Sequence, residues 1–338
     1  MDNRYSRQQL FSSIGENGQK LIRNKHVLII GLGALGSASA ESLVRAGIGK
    51  LTIIDRDYVE SSNLQRQQLY SEEDVNQKLP KAIAAYNRLK RINSDVHIDA
   101  HVMDVRVDNL EPLLKDVDVI MDATDNFDIR FILNDFSQKY NIPWVYGSCV
   151  GSFGASYTII PGKTPCLHCV LKAIPMTGAT CDTVGIIGPA VQMVVAYQVA
   201  ECMKILVEDY KALRGTYLAF DLWNNQNYET KVNKIKKVDC PSCGVNRTYP
   251  FLSYETQTKT EVLCGRNTVQ IRPSRTFSID FDWLESKLEK QGRVNRNPYL
   301  LSYELDEFRI VFFQDGRVFV HGTNEIVTAK NIYYKILG

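Results

Sequence analysis

Two cysteine pairs, Cys166-Leu167-His168-Cys169 and Cys240-Pro241-Ser242-Cys243, are the residues whose type and spacing most directly specify chemistry. Each pair can present two thiolates, and the two together can surround one tetrahedral zinc ion; either pair alone could be a redox motif or a chance spacing. Upstream lies Gly31-Leu32-Gly33-Ala34-Leu35-Gly36. In such a pattern Gly31 permits a tight turn, Gly33 lets backbone N–H groups approach a phosphate, and Gly36 allows a helix to pack closely. A helix N-terminus at that point favours an anion. Asp55, about 20 residues on, is placed to accept hydrogen bonds from ribose hydroxyls, or else to be a solvated acid at a strand end.

The residues beyond this acid decide which nucleotide is expected. Ser62-Asn63-Leu64-Gln65-Arg66 and Lys81 supply polar and basic groups that a nicotinamide enzyme does not need. Cations there suit a triphosphate, whose leaving pyrophosphate gathers charge during nucleotidyl transfer. Taken singly, Arg66 and Lys81 read equally well as surface charges. Thr124-Asp125-Asn126 puts a carboxylate at the carboxyl edge of a sheet, where a hard oxygen ligand suits magnesium on phosphates; as an isolated triplet it would more often cap a helix.

The elements needed to position these groups are legible. The apolar run His26 to Ile30, the glycine turn, the helical pattern Ser37 to Ala46 and the run Leu51 to Ile54 ending at Asp55 have the order of a dinucleotide-type βαβ unit. Runs at 96–100, 117–122 and 144–146 continue a parallel sheet, with helices over 81–92 and 127–140 between them. Later strands are expected at 218–222 and 229–232. After Tyr249 the pattern changes to short strands at 268–272, 299–304, 309–313 and 317–321, a hairpin turn at Asp315-Gly316, and helices over 281–291 and 324–336. The expected fold is a Rossmann-like, doubly wound, mostly parallel α/β sheet with a four-cysteine zinc site. It occupies residues 1–248, and a small α+β module of unassigned role occupies 249–338.

A net charge of +2 gives no bulk reason to bind nucleic acid or membrane. The polar start Met1-Asp2-Asn3-Arg4 lacks the apolar run of a signal peptide, so a cytoplasmic location with reduced cysteines is expected. The most apolar stretch, 184–207, is interrupted by Gly188, Pro189, Gln192, Gln198, Glu201 and Lys204 and reads as a loop and a buried or interface helix. Cys202 lies in that apolar pattern and reads as core, and Cys149 and Cys264 as structural.

Taken together, Arg4-Tyr5-Ser6-Arg7-Gln8, the glycine loop, Asp55-Arg56-Asp57, Asn63-Leu64-Gln65-Arg66, Pro80-Lys81, Asp122-Ala123-Thr124-Asp125-Asn126 and both cysteine pairs resemble the ubiquitin-activating-like adenylyltransferases of sulfur-carrier pathways. The resemblance covers roughly residues 1 to 247. It implies a homodimer that uses ATP and magnesium to activate the C-terminal glycine of a small ubiquitin-like sulfur-carrier protein as an acyl-adenylate, releasing pyrophosphate, with a sulfur donor acting afterwards. Within the family it points first to the molybdopterin-synthase branch and, as the alternative, to the thiamine branch. By position, Gly33, Asp55, Asp57, Asn63, Gln65, Arg66, Lys81, Asp125 and Asn126 would form the ATP and magnesium site. Arg7 would reach the phosphates in the neighbouring subunit. Cys181 matches the family's nucleophile, either attacking an activated acyl group or exchanging with a persulfide; an inert loop cysteine is the other reading. Ala34 departs from the family's usual glycine while leaving Gly33 and Gly36 in place. Two functions of other kinds compete: an NAD-dependent oxidoreductase, which has no use for Arg66, Lys81 or zinc, and a non-catalytic zinc-stabilised scaffold.

Overall fold

The computed structural model describes residues 3–173, 184–253, 260–263, 267–272 and 278–337. The described residues divide into two compact units, the first lying within residues 3–253 and the second within residues 260–337.

The first unit is built on an eight-stranded sheet in the order β3-β2-β1-β4-β5-β6-β7-β8. Strands β1 (His26–Ile30), β2 (Lys50–Asp55), β3 (His97–Val102), β4 (Val119–Asp122) and β5 (Trp144–Val150) are parallel to one another. Strands β6 (Phe153–Ile159), β7 (Thr216–Asp221) and β8 (Gln226–Lys231) continue it antiparallel. β1 is wholly buried, as a central strand covered on both faces must be, which explains its unbroken apolar run HVLII. Each such Val, Leu or Ile stabilises the fold by about 1.5–3 kcal/mol relative to an exposed position.

Side chains alternate across the sheet, so Val27 and Ile29 enter one core while Leu28 and Ile30 enter the other. The first core receives helices Ala34–Ala46, Lys81–Ile92 and Gly188–Leu206; the second receives helix Phe127–Tyr140. Residues 188–206, the expected buried segment, form one helix with Pro189 in its first turn, where the missing N–H breaks no helical bond. Cys202 is fully buried in it. Among the described residues no helix is long and apolar enough to cross a membrane.

The second unit is a six-stranded antiparallel sheet, β11-β12-β13-β14-β10-β9, in which β9 is Thr260–Leu263, β10 Thr268–Ile271, β11 Val294–Arg296, β12 Leu300–Leu305, β13 Phe308–Phe313 and β14 Val318–His321. Helices Phe281–Leu288 and Ile326–Leu337 contribute Leu284, Leu288, Ala329 and Ile332 to the core on one of its faces. Gly316 adopts φ +85 in the turn between β13 and β14, which a side chain would strain.

Candidate functional site

The β1 to helix turn is shaped by three glycines with different surroundings. Gly31 has φ +87, and a Cβ there would lie 2.6 Å from the Ala123 carbonyl oxygen; at Gly36 it would lie 1.8 Å from the Gly31 oxygen. Both positions therefore exclude any side chain. Gly33 is open: an added Cβ would meet only Gln67 Nε2, at 3.8 Å. It is also the N-cap of helix Ala34–Ala46, with no side chain capping that terminus. Free N–H groups, helix dipole and space thus coincide at Gly33, the arrangement that receives an anion.

Asp55 ends β2 beside this turn. Its Oδ2 accepts the Leu32 N–H at 2.5 Å and its Oδ1 the Asp57 N–H at 2.7 Å. Burial pushes its carboxyl above the ordinary carboxylate value, with the Lys81 ammonium working the other way. The carboxylate fastens the glycine turn to the strand end and keeps lone pairs for further donors. Lys81 is not a surface charge: it is 3% exposed, and its Nζ meets Asp57 Oδ2 at 3.2 Å. The short turn 61–67 stands opposite. Asn63 is buried, its Oδ1 accepting the Glu60 N–H and its carbonyl accepting from Arg66 and Gln67. Arg66 is half-buried and donates to the Ser62 carbonyl at 2.7 Å, while Gln65 is exposed.

Asp125 comes just after β4. It is exposed, and the cap of helix Phe127–Tyr140 is its neighbour Asn126, whose Oδ1 accepts from the Asp128 and Ile129 N–H groups. The N-cap reading therefore belongs to Asn126, and Asp125 keeps its oxygens for a ligand. The loop carrying it is held from below. Asp122 Oδ1 accepts from the Thr124 N–H and hydroxyl, and Arg130 Nε donates to Asp122 Oδ2 at 3.0 Å while its Nη2 donates to the Thr124 and Gly147 carbonyls. Burial opposes the charge on Arg130, yet the Asp122 carboxylate holds it more firmly protonated than a free guanidinium.

Glycine turn, Asp55, Asp57 and Lys81 thus form one hydrogen-bonded neighbourhood; the 61–67 turn approaches it through Gln67 beside Gly33, and the Gly31 and Gly36 packing against Ala123 brings in the Asp125 loop. Arg7 does not join it. It is exposed on the short helix Ser6–Gln9, and its neighbour Gln8 donates to the Ala46 carbonyl. Ala46 is at the far end of the 13-residue helix that Gly33 begins, about 20 Å away at 1.5 Å per residue. Cys181 lies outside the described residues, as does Cys264.

Two contributors are not marked by any sequence motif, Gln67 and Tyr70. Gln67 is 3% exposed, and its buried Oε1 has no hydrogen-bond partner among the described residues. Tyr70 is buried with its hydroxyl on the Leu32 carbonyl. Both come within four residues of Arg66, but which polar atoms they meet is set by chain segments remote in sequence.

The four cysteines of the two knuckles converge. All four are buried, their sulfurs lie within 4.8 Å of one another, and the pairs Cys166–Cys240 and Cys169–Cys243 are 3.6 Å apart. Four sulfurs each about 2.3 Å from a tetrahedral zinc would be roughly 3.8 Å apart, so the donor set and spacing fit that metal with no open coordination position. Hydrogen bonding among the sulfurs pushes the Cys166 thiol up and Cys169 far down, to about 2. Helix Phe127–Tyr140 anchors the segment: Asn134 Oδ1 accepts the Leu167 N–H at 2.8 Å, and Asp135 Oδ2 accepts the Phe251 N–H at 2.9 Å. Phe251 stacks on Phe131 with ring centroids 4.4 Å apart.

An anion-accepting glycine turn with an acid at the next strand end, on a sheet that also carries a four-thiol site, defines a nucleotide-using α/β enzyme. Comparisons with known proteins are specific. The ThiF family model matches residues 5–242. The sulfur carrier protein ThiS adenylyltransferase of Bacillus subtilis (strain 168) is 53% identical over 339 residues, covering 100% of both chains. The SAMP-activating enzyme E1 of Haloferax volcanii is 34% identical over 71% of this chain and 88% of its own. The crystal structure of E. coli MccB with ATP shares the fold, with a TM-score of 0.62 and 24% identity over 72% of this chain and 75% of that one.

The class is therefore nucleotidyltransferase, which sets aside the oxidoreductase and scaffold alternatives. The chain belongs to the ThiF family, the sulfur-carrier adenylyltransferases that its motifs resemble.

Proposed function

We propose that the protein adenylates the C-terminal glycine of the thiamine-pathway sulfur carrier. The observation that carries this choice of carrier is the 53% identity to a ThiS adenylyltransferase along the entire chain, the second unit included. It supports the thiamine alternative over the molybdopterin carrier that the motifs alone put first.

ATP would lie with its phosphates at the open Gly33 turn and its ribose beside Asp55. The carrier's carboxylate is already ionised at neutral pH, so it can attack the α-phosphorus without a general base. A bond forms from carboxylate oxygen to the α-phosphorus, and the bond to the bridging oxygen breaks, releasing pyrophosphate. Rate enhancement then comes from alignment and from charge placed on the departing pyrophosphate. Arg66 and Lys81 supply the positive charge; Asp57 holds the Lys81 ammonium in place. Asp125, with its exposed carboxylate, would hold magnesium, which neutralises phosphate charge, and Gln65, Asn63 and Asn126 would complete the surroundings. The four-cysteine site would hold a structural zinc. Cys181 would act only after the acyl-adenylate exists, in transfer of sulfur from a donor protein. Because Arg7 is exposed next to Gln8, which is tied to the far end of the helix from Gly33, its role at the phosphates requires a second subunit, as in a two-fold dimer. A cytoplasmic enzyme is the matching location.

The test is mass spectrometry of the two carriers, thiamine-pathway and molybdopterin-pathway, mixed with enzyme, ATP and magnesium. The thiamine carrier is expected to gain one adenylyl group; exclusive modification of the other carrier reverses the assignment.

A further inference from the structure

The glycine turn is controlled by two peptide planes that meet at Leu32. The plane between Gly31 and Leu32 carries the Leu32 N–H, which Asp55 Oδ2 accepts at 2.5 Å. The plane between Leu32 and Gly33 carries both the Leu32 carbonyl and the Gly33 N–H, which point in opposite directions because the peptide is planar and trans. Its carbonyl accepts the Tyr70 hydroxyl at 2.8 Å. Whatever fixes that carbonyl also fixes the direction of the Gly33 N–H on its other side. Among the described residues no group accepts the Gly33 N–H, and the space over Gly33 is open.

Tyr70 is suited to hold this plane. It is 7% exposed, and its hydroxyl lies 3.3 Å from the Lys81 carbonyl as well, so one phenol bridges the glycine turn and the first residue of the Lys81–Ile92 helix. Burial, reinforced by the Asp55, Asp74 and Asp57 carboxylates, pushes its ionisation well above the ordinary tyrosine value, so it remains a donor throughout the working pH range. Leu32 is itself fully buried, so its carbonyl would have no water to replace a lost phenol.

We propose that the Tyr70 hydroxyl is a positioning residue for nucleotide binding, aiming the Gly33 N–H at the phosphate and tying the glycine turn to the Lys81 helix. The assignment rests on the reading of the turn as the ATP site.

Tyr70→Phe removes the hydroxyl and keeps the ring, and Tyr70→Leu is a second variant without a donor. ATP KM and kcat are measured in full-length protein by carrier-dependent pyrophosphate exchange, beside the ATP-induced rise in melting temperature. Ser137→Ala is the stability control, because it removes another buried hydroxyl, one that donates to the Ile142 carbonyl at 2.7 Å in helix Phe127–Tyr140. The phenylalanine and leucine variants are expected to raise the ATP KM about tenfold, the scale of one hydrogen bond to a charged group, and to shrink the ATP-induced melting shift. Their kcat at saturating ATP should stay within about threefold of wild type, because a contact to phosphate made equally in the ground and transition states changes KM and not kcat. Ser137→Ala should lower the melting temperature without changing KM. A wild-type KM in Tyr70→Phe or Tyr70→Leu, or a fall in kcat with no rise in KM, overturns the proposal while leaving the ATP site in place. Failure of wild-type protein to respond to ATP overturns the site reading itself.

Discussion

At the level of single residues, the chemistry separates groups that shape the site from groups left for the ligand. Gly36 and Gly33 illustrate the difference. Gly36→Ala would drive a methyl against the Gly31 carbonyl and is expected to destabilise the fold, read as a lower melting temperature without ligand. Gly33→Val would project into open space and is expected to leave the melting temperature of the free protein within about 2 °C while abolishing its rise with ATP. Asp125→Ala and Arg66→Ala should each lower carrier-dependent pyrophosphate exchange by about 10²-fold or more, the usual scale for losing one group that stabilises developing charge. Cys181→Ala should leave that exchange within about twofold, because a thiol that acts on the acyl-adenylate comes after the step being measured. Read singly, Lys81 could as well be a surface charge, whereas Gly31, Gly33 and Asp55 can be picked out from spacing because their roles depend on local order along the chain. Gln67 and Tyr70 cannot, since a buried amide or phenol has meaning only once Gly33 and Leu32 lie against it.

Among the secondary-structure elements, apolar runs locate β1, β2, β4 and β5, because a central parallel strand has no exposed face to interrupt its run; β3, at the sheet edge, shows only the alternation of residues 96–100. The strand Phe153–Ile159 has no such signal: it pairs antiparallel with β5 across a two-residue turn at Gly151-Ser152, and its GASYT stretch is small and polar for a buried strand. The two knuckles are legible as a pair, but their support is not. Asn134 and Asp135 sit fully buried in a helix whose sequence reads as merely amphipathic, and they hold the backbone at Leu167 and Phe251. Asn134→Ala is therefore expected to cost about 1–3 kcal/mol by stranding the Leu167 N–H. Urea unfolding measures that loss, and chelator-driven zinc release should become faster in the same variant. Metal analysis of the wild-type chain should give one zinc per subunit, lost when Cys169 or Cys243 is replaced by Ser; unchanged zinc content in those variants would move the metal elsewhere.

For the molecule as a whole, the fold class can be read from the alternation of apolar runs and helical patterns before Tyr249, whereas the carrier cannot, because a carrier is recognised by a surface and not by a motif. The proposed composite site, shared between two subunits, is tested at this scale as well. Arg7→Ala and Asp125→Ala should each be inactive alone and regain activity when mixed and allowed to exchange subunits, since one mixed dimer then contains one intact site; an active monomer in sedimentation would contradict this. Everything proposed for the site depends on the glycine turn, Arg66, Lys81 and Asp125 acting together to activate a carrier carboxylate with ATP. Carrier-dependent ATP–pyrophosphate exchange measures that step. Exchange should require the thiamine-pathway carrier with its terminal glycine and should be lost in Arg66→Ala and Asp125→Ala; exchange that persists in both variants, or that is absent with either carrier in zinc-loaded wild-type protein, would refute the assignment.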